Sequence, residues 1–311
     1  MQVRSPKLEY QLFGQGFWRL ADPKISLASF SGMFMAACLA ATDHSLSPLW
    51  LLLTISGIFA VEIAKNASGE LVDYDSGADL AVAEKDRTPF SGGKRVLVDS
   101  ILTRRQTFFI AITFYTTAII IGLLIVVFRD QRVLFIGLAG IALAWFYHSG
   151  PLRLSYRGWG ELAVAISYGP LVVLGTYLVQ TGTVTATVFH ASLVLGVLVA
   201  AFLWINEFPD YNADKASGKS NLVVKIGLSR AVYVYLAMLV IGYGWLVFIA
   251  VNGDATGGLL GGLLGMPAAS FSAIRLFNYN GNTQNLVPAQ VASLASFVLM
   301  AIGVSLVYMF G

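Results

Sequence analysis

Long apolar runs alternate with short polar breaks along the whole chain. A membrane-spanning helix needs about 20 mostly apolar residues. Nine stretches approach that length: 25–42, 48–65, 107–128, 133–149, 160–180, 185–206, 229–251, 257–277 and 288–310. The pattern predicts an all-α polytopic membrane bundle of about nine transmembrane helices. Residues 1–311 are expected to form one membrane-embedded domain, opening with a polar segment, 1–24, that has no apolar leader-like core. The eighth stretch contains "GGLLGGLLG". On an α-helix its Gly257, Gly261 and Gly265 fall on one face, where small residues let helices approach closely in lipid.

Composition strengthens this picture. The chain is 57% hydrophobic and 12% charged, against about 25% charged in soluble domains. A single cysteine, Cys38, leaves no internal disulfide and no cysteine-rich metal site. Charge then sets the orientation. With nine spans, all 20 lysines and arginines except Arg129 and Arg132 fall on one side, Arg4 among them. The positive-inside rule makes that side, with the N-terminus, cytoplasmic and leaves the C-terminus outside. The expectation is an integral protein of a bacterial cell membrane, with the lipid bilayer as its surroundings and no nucleic-acid partner.

Two polar clusters interrupt the pattern on that side, each opening with Asn at the end of an apolar run. The second is "NEFPDYNADKASGKSNLVVKIG". Its Asn206, Asp210 and Asp214 are spaced i, i+4, i+8 and cover about 80° of a helix face, although Pro209 removes a backbone donor there. The first cluster begins "NASGELVDYDSGAD". Its Asn66, Glu70 and Asp73 span about 60° by the same geometry, while Asp75 points away and Asp79 lies beyond Ser76-Gly77. Carboxylates crowded together repel one another, and a divalent cation removes that repulsion. Oxygen-only ligands favour Mg²⁺, which takes one or two carboxylates together with phosphate oxygens. The nearby bases, among them Arg87, Lys94, Lys215 and Lys219, suit a phosphorylated ligand. No Walker-type glycine loop is present for a nucleoside triphosphate.

These motifs resemble the UbiA family of integral membrane prenyltransferases, which carry two N-x-x-x-D-x-x-x-D-like motifs on a helical bundle. Asn206, Asp210 and Asp214 match the second motif. Asn66, Glu70 and Asp73 resemble the first as it occurs in the menaquinone-pathway branch, with Glu70 standing where Asp is usual. "DRTPFSGGKR" and "FYHSGPLRLSYRGWGEL" resemble loops of the same branch. The resemblance implies transfer of a prenyl group from an allylic polyprenyl diphosphate to an aromatic acceptor such as dihydroxynaphthoate. It implies Mg²⁺ held by Asn66, Glu70, Asp73, Asn206, Asp210 and Asp214, with the diphosphate on Arg87, Lys94, Lys215 and Lys219. Among these, Asp210, Asp214, Asp73 and Glu70 are the expected catalytic carboxylates.

Other residues have two readings. Tyr147, Tyr156, Tyr168, Phe202 and Trp204 are candidates to stabilise an allylic cation through their ring faces, or core packing. His148 is a base for the ring proton, or structural. Glu161 caps a helix dipole or touches substrate, and Glu62 orients Lys65 or Asn66. Prenylation of a non-aromatic lipid and terpene cyclisation use the same constellation. A transporter fits less well, because its charged sites belong near the bilayer midplane.

Overall fold

The computed structural model describes residues 6–252 and 257–310 and contains no strand among them. Helix α1 (Pro6–Ala21) leads into α2 (Leu27–Thr42), α3 (Pro48–Ser76), α4 (Arg104–Phe128) and α5 (Val133–His148). They are followed by α6 (Gly160–Thr181), α7 (Ala186–Ala216), α8 (Leu228–Asn252), α9 (Gly257–Phe277) and α10 (Val287–Phe310). Among the described residues, 7 helices are long and apolar enough to cross a membrane. The exceptions among the predicted spans are α2 and α5, each of 16 residues. At 1.5 Å per residue these reach only about 24 Å, short of a hydrocarbon core of about 30 Å. Arg4, counted above on the basic side, lies outside the described residues.

Two helices run well past their predicted ends. The second and sixth apolar stretches stop near 65 and 206, but α3 continues to Ser76 and α7 to Ala216. These extensions are the polar clusters, so both motifs are continuous with apolar helices. Pro209 lies inside α7 without ending it. At the end of α3, Gly77 takes φ +79 as a left-handed cap. A residue with a Cβ is strained there, and the turn redirects the chain into a short helix, Ala78–Ala81.

α7 is the central post. In its most apolar window 72% of residues are buried, against 22% for α3. Around it the outer helices expose Ile120, Val127, Phe135, Val240 and Ile241, the apolar surface that lipid covers. α6 meets α7 through a π-helical turn, Ser167–Leu171, that contains Gly169 and Pro170. A Cβ on Gly169 would sit 2.5 Å from the Ser192 carbonyl and 2.8 Å from the Gly196 Cα of α7. Only two glycines allow this approach, and the π turn carries Tyr168 beside it.

Within the polar segment, residues Pro6–Ala21 form a helix despite their polar composition. α1 exposes Tyr10 and Trp18 while burying Leu20 completely. Its end is tied to α3, because the Asn66 side-chain amide donates to the Leu20 carbonyl at 2.7 Å.

The glycine face of α9 differs from the prediction. Residues Gly257–Gly265 form a 3₁₀ helix, which turns 120° per residue, so the three glycines do not share one face, although Gly261 and Gly265 both meet carbonyls of α10, those of Gly303 and Ser296. Gly261 abuts the Gly303 carbonyl of α10, and a Cβ on Gly258 would meet the Tyr308 ring. Gly257 is exposed, with no atom nearer than 4.0 Å to a built Cβ. Gly261→Ala therefore pushes a methyl group into backbone and should cost about 1–3 kcal/mol, whereas Gly257→Ala should leave stability nearly unchanged. Thermal melts of the detergent-solubilised variants check this, and equal losses would contradict the packing described.

Candidate active site

The extended ends of α3 and α7 face one cavity of about 770 Å³. Asn66, Glu70 and Asp73 line it from α3, and Asn206, Asp210 and Asp214 from α7. The helical spacing achieves this by keeping each set on one flank. Arg87 and Lys94 enter from the loop after α3, and Lys219 from the turn after α7. Lys215 does not reach the cavity. It follows Asp214 on a helix that continues to Ala216, so it is turned about 100° away; it is exposed and lies 6.0 Å from the Tyr211 ring.

Each carboxylate leans on a local donor. Asp73 accepts from the Tyr156 hydroxyl at 2.7 Å, and its other oxygen is 3.6 Å from His148 Nε2. Glu70 accepts from the Leu97 backbone N–H at 2.9 Å. Asp210 accepts from the Gly92 N–H at 3.1 Å, which fastens the loop after α3 to α7. Asp214 accepts from the Asn221 amide at 2.8 Å, and Lys219 Nζ lies 3.5 Å from its other oxygen. Burial opposes the Lys219 charge, but Asp214, Asp73 and Asp210 outweigh it and hold this ammonium well above the ordinary lysine range. Lys94 pairs with Asp22 at the end of α1.

Among the described residues no three His, Cys, Asp or Glu side chains stand close enough to hold one ion. The residues nonetheless suit a hard cation. Asn206 Oδ1, Asp210 Oδ1, Glu70 Oε2 and Asp79 Oδ2 are all buried without a hydrogen-bond donor, and their residues all line the cavity. Buried acceptors are rarely left unpaired, and an oxygen-only set of this kind matches Mg²⁺.

Asp79 was not among the residues singled out from the sequence. The left-handed turn at Gly77 ends α3, so helical spacing cannot project the residue onto the site. Beyond that turn Asp79 is buried, its carboxyl in contact with Gly93. Burial first, and then the charges of Asp73 and Glu70, push its pKa up to about 8. Asp22 and Glu207 also line the cavity without having been expected there. Of the aromatic candidates, Tyr147, Tyr168 and Phe202 line it. Trp204 is core, its indole N–H donating to the Ala231 carbonyl at 2.9 Å. His148 packs its ring against Gly69, where a Cβ would sit 2.6 Å from Nδ1. Glu161 accepts from the Leu222 N–H at 2.7 Å, a contact that braces the short helix Leu222–Ile226.

A second cavity of about 380 Å³ lies among α3, α4, α5 and α6 and is lined almost entirely by apolar residues. It meets the first at Lys65, Tyr147, Val164 and Tyr168, which line both.

Comparison with known proteins gives a consistent result. The profile of the UbiA prenyltransferase family matches residues 30–294. A 1,4-dihydroxy-2-naphthoate octaprenyltransferase of Bacillus subtilis is 27% identical over 276 residues, 89% of this chain and 86% of its own length. A protein of the same description from Mycobacterium tuberculosis is 27% identical over 260 residues, 84% of this chain and 85% of its own. Among solved structures, a UbiA homolog from Archaeoglobus fulgidus bound to GPP and Mg²⁺ superposes with a TM-score of 0.67 at 15% identity, covering 93% of this chain and 99% of that one. The apo UbiA homolog from Aeropyrum pernix gives a TM-score of 0.69 at 15% identity, covering 90% and 97%.

The raised pKa of Asp79 has a measurable consequence in the absence of metal. The folded chain keeps this proton to about pH 8, whereas the unfolded chain loses it near pH ~4. Folding then takes up a proton, and the stability due to this group falls as pH rises from about 4 to about 8. Asp79→Asn removes that dependence. In chelator, its melting temperature should gain on wild type across this range and stop gaining above it. A gap that does not change with pH would show that Asp79 is already ionised.

Proposed function

The chain belongs to the UbiA prenyltransferase family, and from that premise we propose that its two cavities transfer a prenyl chain from an allylic polyprenyl diphosphate to an aromatic acceptor in quinone biosynthesis. The observation that carries this is the convergence of both acidic helix ends and three basic side chains on one cavity that continues into an apolar one. The naphthoate octaprenyltransferases among its relatives support an acceptor of the hydroxynaphthoate type.

Asn66, Glu70, Asp73, Asn206, Asp210 and Asp214, joined by Asp79, would hold Mg²⁺ with the diphosphate. Bound there, the ion supplies Lewis-acid stabilisation of the negative charge that grows on the leaving group. Arg87 and Lys219 neutralise the remaining oxygens, and Lys94 joins them by exchanging Asp22 for phosphate. The prenyl tail lies in the apolar cavity, which places its first carbon at the junction. There the carbon–oxygen bond breaks with its electron pair on the diphosphate. The faces of Tyr147 and Tyr168 stabilise the allylic cation. An acceptor ring carbon forms the new carbon–carbon bond and then releases its proton into the polar cavity. With the basic loops cytoplasmic, α2 and α5 complete the nine-helix bundle and the site opens on the cytoplasmic side.

Membranes carrying the protein should release diphosphate from an allylic prenyl diphosphate and prenylate dihydroxynaphthoate only with Mg²⁺, as read by mass spectrometry. Asp210→Ala and Asp214→Ala should lower turnover by roughly 100-fold or more while insertion is normal. Lys219→Ala should raise the KM for diphosphate more than it lowers kcat. Near-normal turnover in either aspartate variant would overturn the assignment.

A further inference from the structure

Among the described residues, Lys65 is the one basic residue that lines both cavities. Its ammonium makes no hydrogen bond and no ion pair among the described residues and stands over the Tyr147 ring, 5.6 Å from its centre. Holding an ammonium inside a helix bundle is costly unless an anion meets it. Glu62, one turn earlier on the same helix, is buried with the hydroxyls of Ser26, Ser29 and Tyr168 beside it. Residues three apart on a helix are neighbours, with about 5–6 Å between Cβ atoms. This pair therefore sets opposite charges side by side at the mouth of a largely apolar cavity, against the Tyr147 and Tyr168 rings, where a ligand can reach both.

Of the other lysines and arginines lining the first cavity, Arg19 stands on α1, and Lys24, Arg87, Lys94, Arg95 and Lys219 stand on its loop and turn walls. Lys65 instead stands on the wall of a spanning helix, within reach of the Lys94 charge. On α3 it lies about 100° around from Asn66, with Glu62 between the two. That flank meets the Tyr147 ring of α5 and borders the apolar cavity. A ligand reaching Lys65 and Glu62 together carries an anionic group and a hydroxyl a few ångströms apart on a flat apolar body. A prenyl tail has neither, and a diphosphate has no flat body.

We propose that Lys65 and Glu62 are the acceptor-recognition residues of this enzyme: Lys65 binds the acceptor's carboxylate, Glu62 accepts from a ring hydroxyl, and Tyr147 and Tyr168 flank the ring. This rests on the transferase reading above and assigns specificity within it. Loss of an ion-paired hydrogen bond weakens binding by about 10- to 100-fold.

The test compares 1,4-dihydroxy-2-naphthoate with its descarboxy analogue, 1,4-naphthalenediol, at saturating prenyl diphosphate. Lys65→Gln should raise the KM for the acid by about 10- to 100-fold and leave those for the diol and for prenyl diphosphate within about twofold. Lys65→Arg keeps the charge and should restore most of the affinity for the acid, while Glu62→Gln should weaken acid and diol alike. The proposal is overturned if Lys65→Gln shifts acid and diol together, or shifts the diphosphate KM, or if Lys65→Arg behaves as Lys65→Gln does. If Lys65→Gln is poorly folded, the acid-to-diol preference of Lys65→Arg decides, and loss of that preference overturns the proposal. Wild-type protein that transfers no prenyl group would sink the transferase reading instead, so the two failures are distinct.

Discussion

The organising constraint is the repulsion among carboxylates drawn into one buried cavity. Glu70, Asp73, Asp79, Asp210 and Asp214 all line it, and in a low-dielectric setting like charges at short range are costly. Two arrangements make this tolerable. Four of the acids, Asp73, Asp210, Glu70 and Asp214, have a fixed local donor, from the Tyr156 hydroxyl, the Gly92 and Leu97 amides and the Asn221 side chain. Lys219 adds a positive charge against Asp214. Several acceptor oxygens still have no partner, and that unmet demand makes the cavity receptive to cations and to the anions they carry.

The rest of the fold serves this concentration of charge. α3 and α7 rise as apolar helices and become polar only in their last turns, so the acids sit at one end of the bundle. The loop after α3 is drawn over them by the Gly92–Asp210 hydrogen bond, and α1 closes the rim through Asp22 and Lys94. The close crossing of α6 on α7 at Gly169 and Gly196 fixes the π turn that carries Tyr168 to the boundary between the polar and apolar cavities. A chain with a charged head and an apolar tail would meet each environment in turn.

Much of this was legible in the sequence, for specific reasons. Every apolar stretch became a helix, because an apolar run of that length has few alternatives in lipid. The i, i+4 spacing placed Asp210 and Asp214 on one flank correctly. Where the reading fell short, the cause was local backbone geometry. Asp79 was missed because the turn at Gly77 breaks the helical phase. Lys215 was placed at the site on the strength of its charge, but α7 continues to Ala216 and turns it outward. The glycines of α9 were phased for an α-helix; Gly261 and Gly265 do meet the backbone of α10, at the Gly303 and Ser296 carbonyls, but the 3₁₀ turn leaves Gly257 without such a contact and brings Gly258 against Tyr308. Asp22 approaches the site only through tertiary packing of α1, which no local pattern encodes.

The central claim is that the ends of α3 and α7 form a single cation–diphosphate site. The most direct measurement is anomalous diffraction from crystals grown with Mn²⁺ and a prenyl thiolodiphosphate that cannot ionise. The prediction is Mn²⁺ density inside the cavity, with carboxylate oxygens from both α3 and α7 within coordination distance and the diphosphate between them. Ions coordinated by one helix alone, or density outside the cavity, would contradict it.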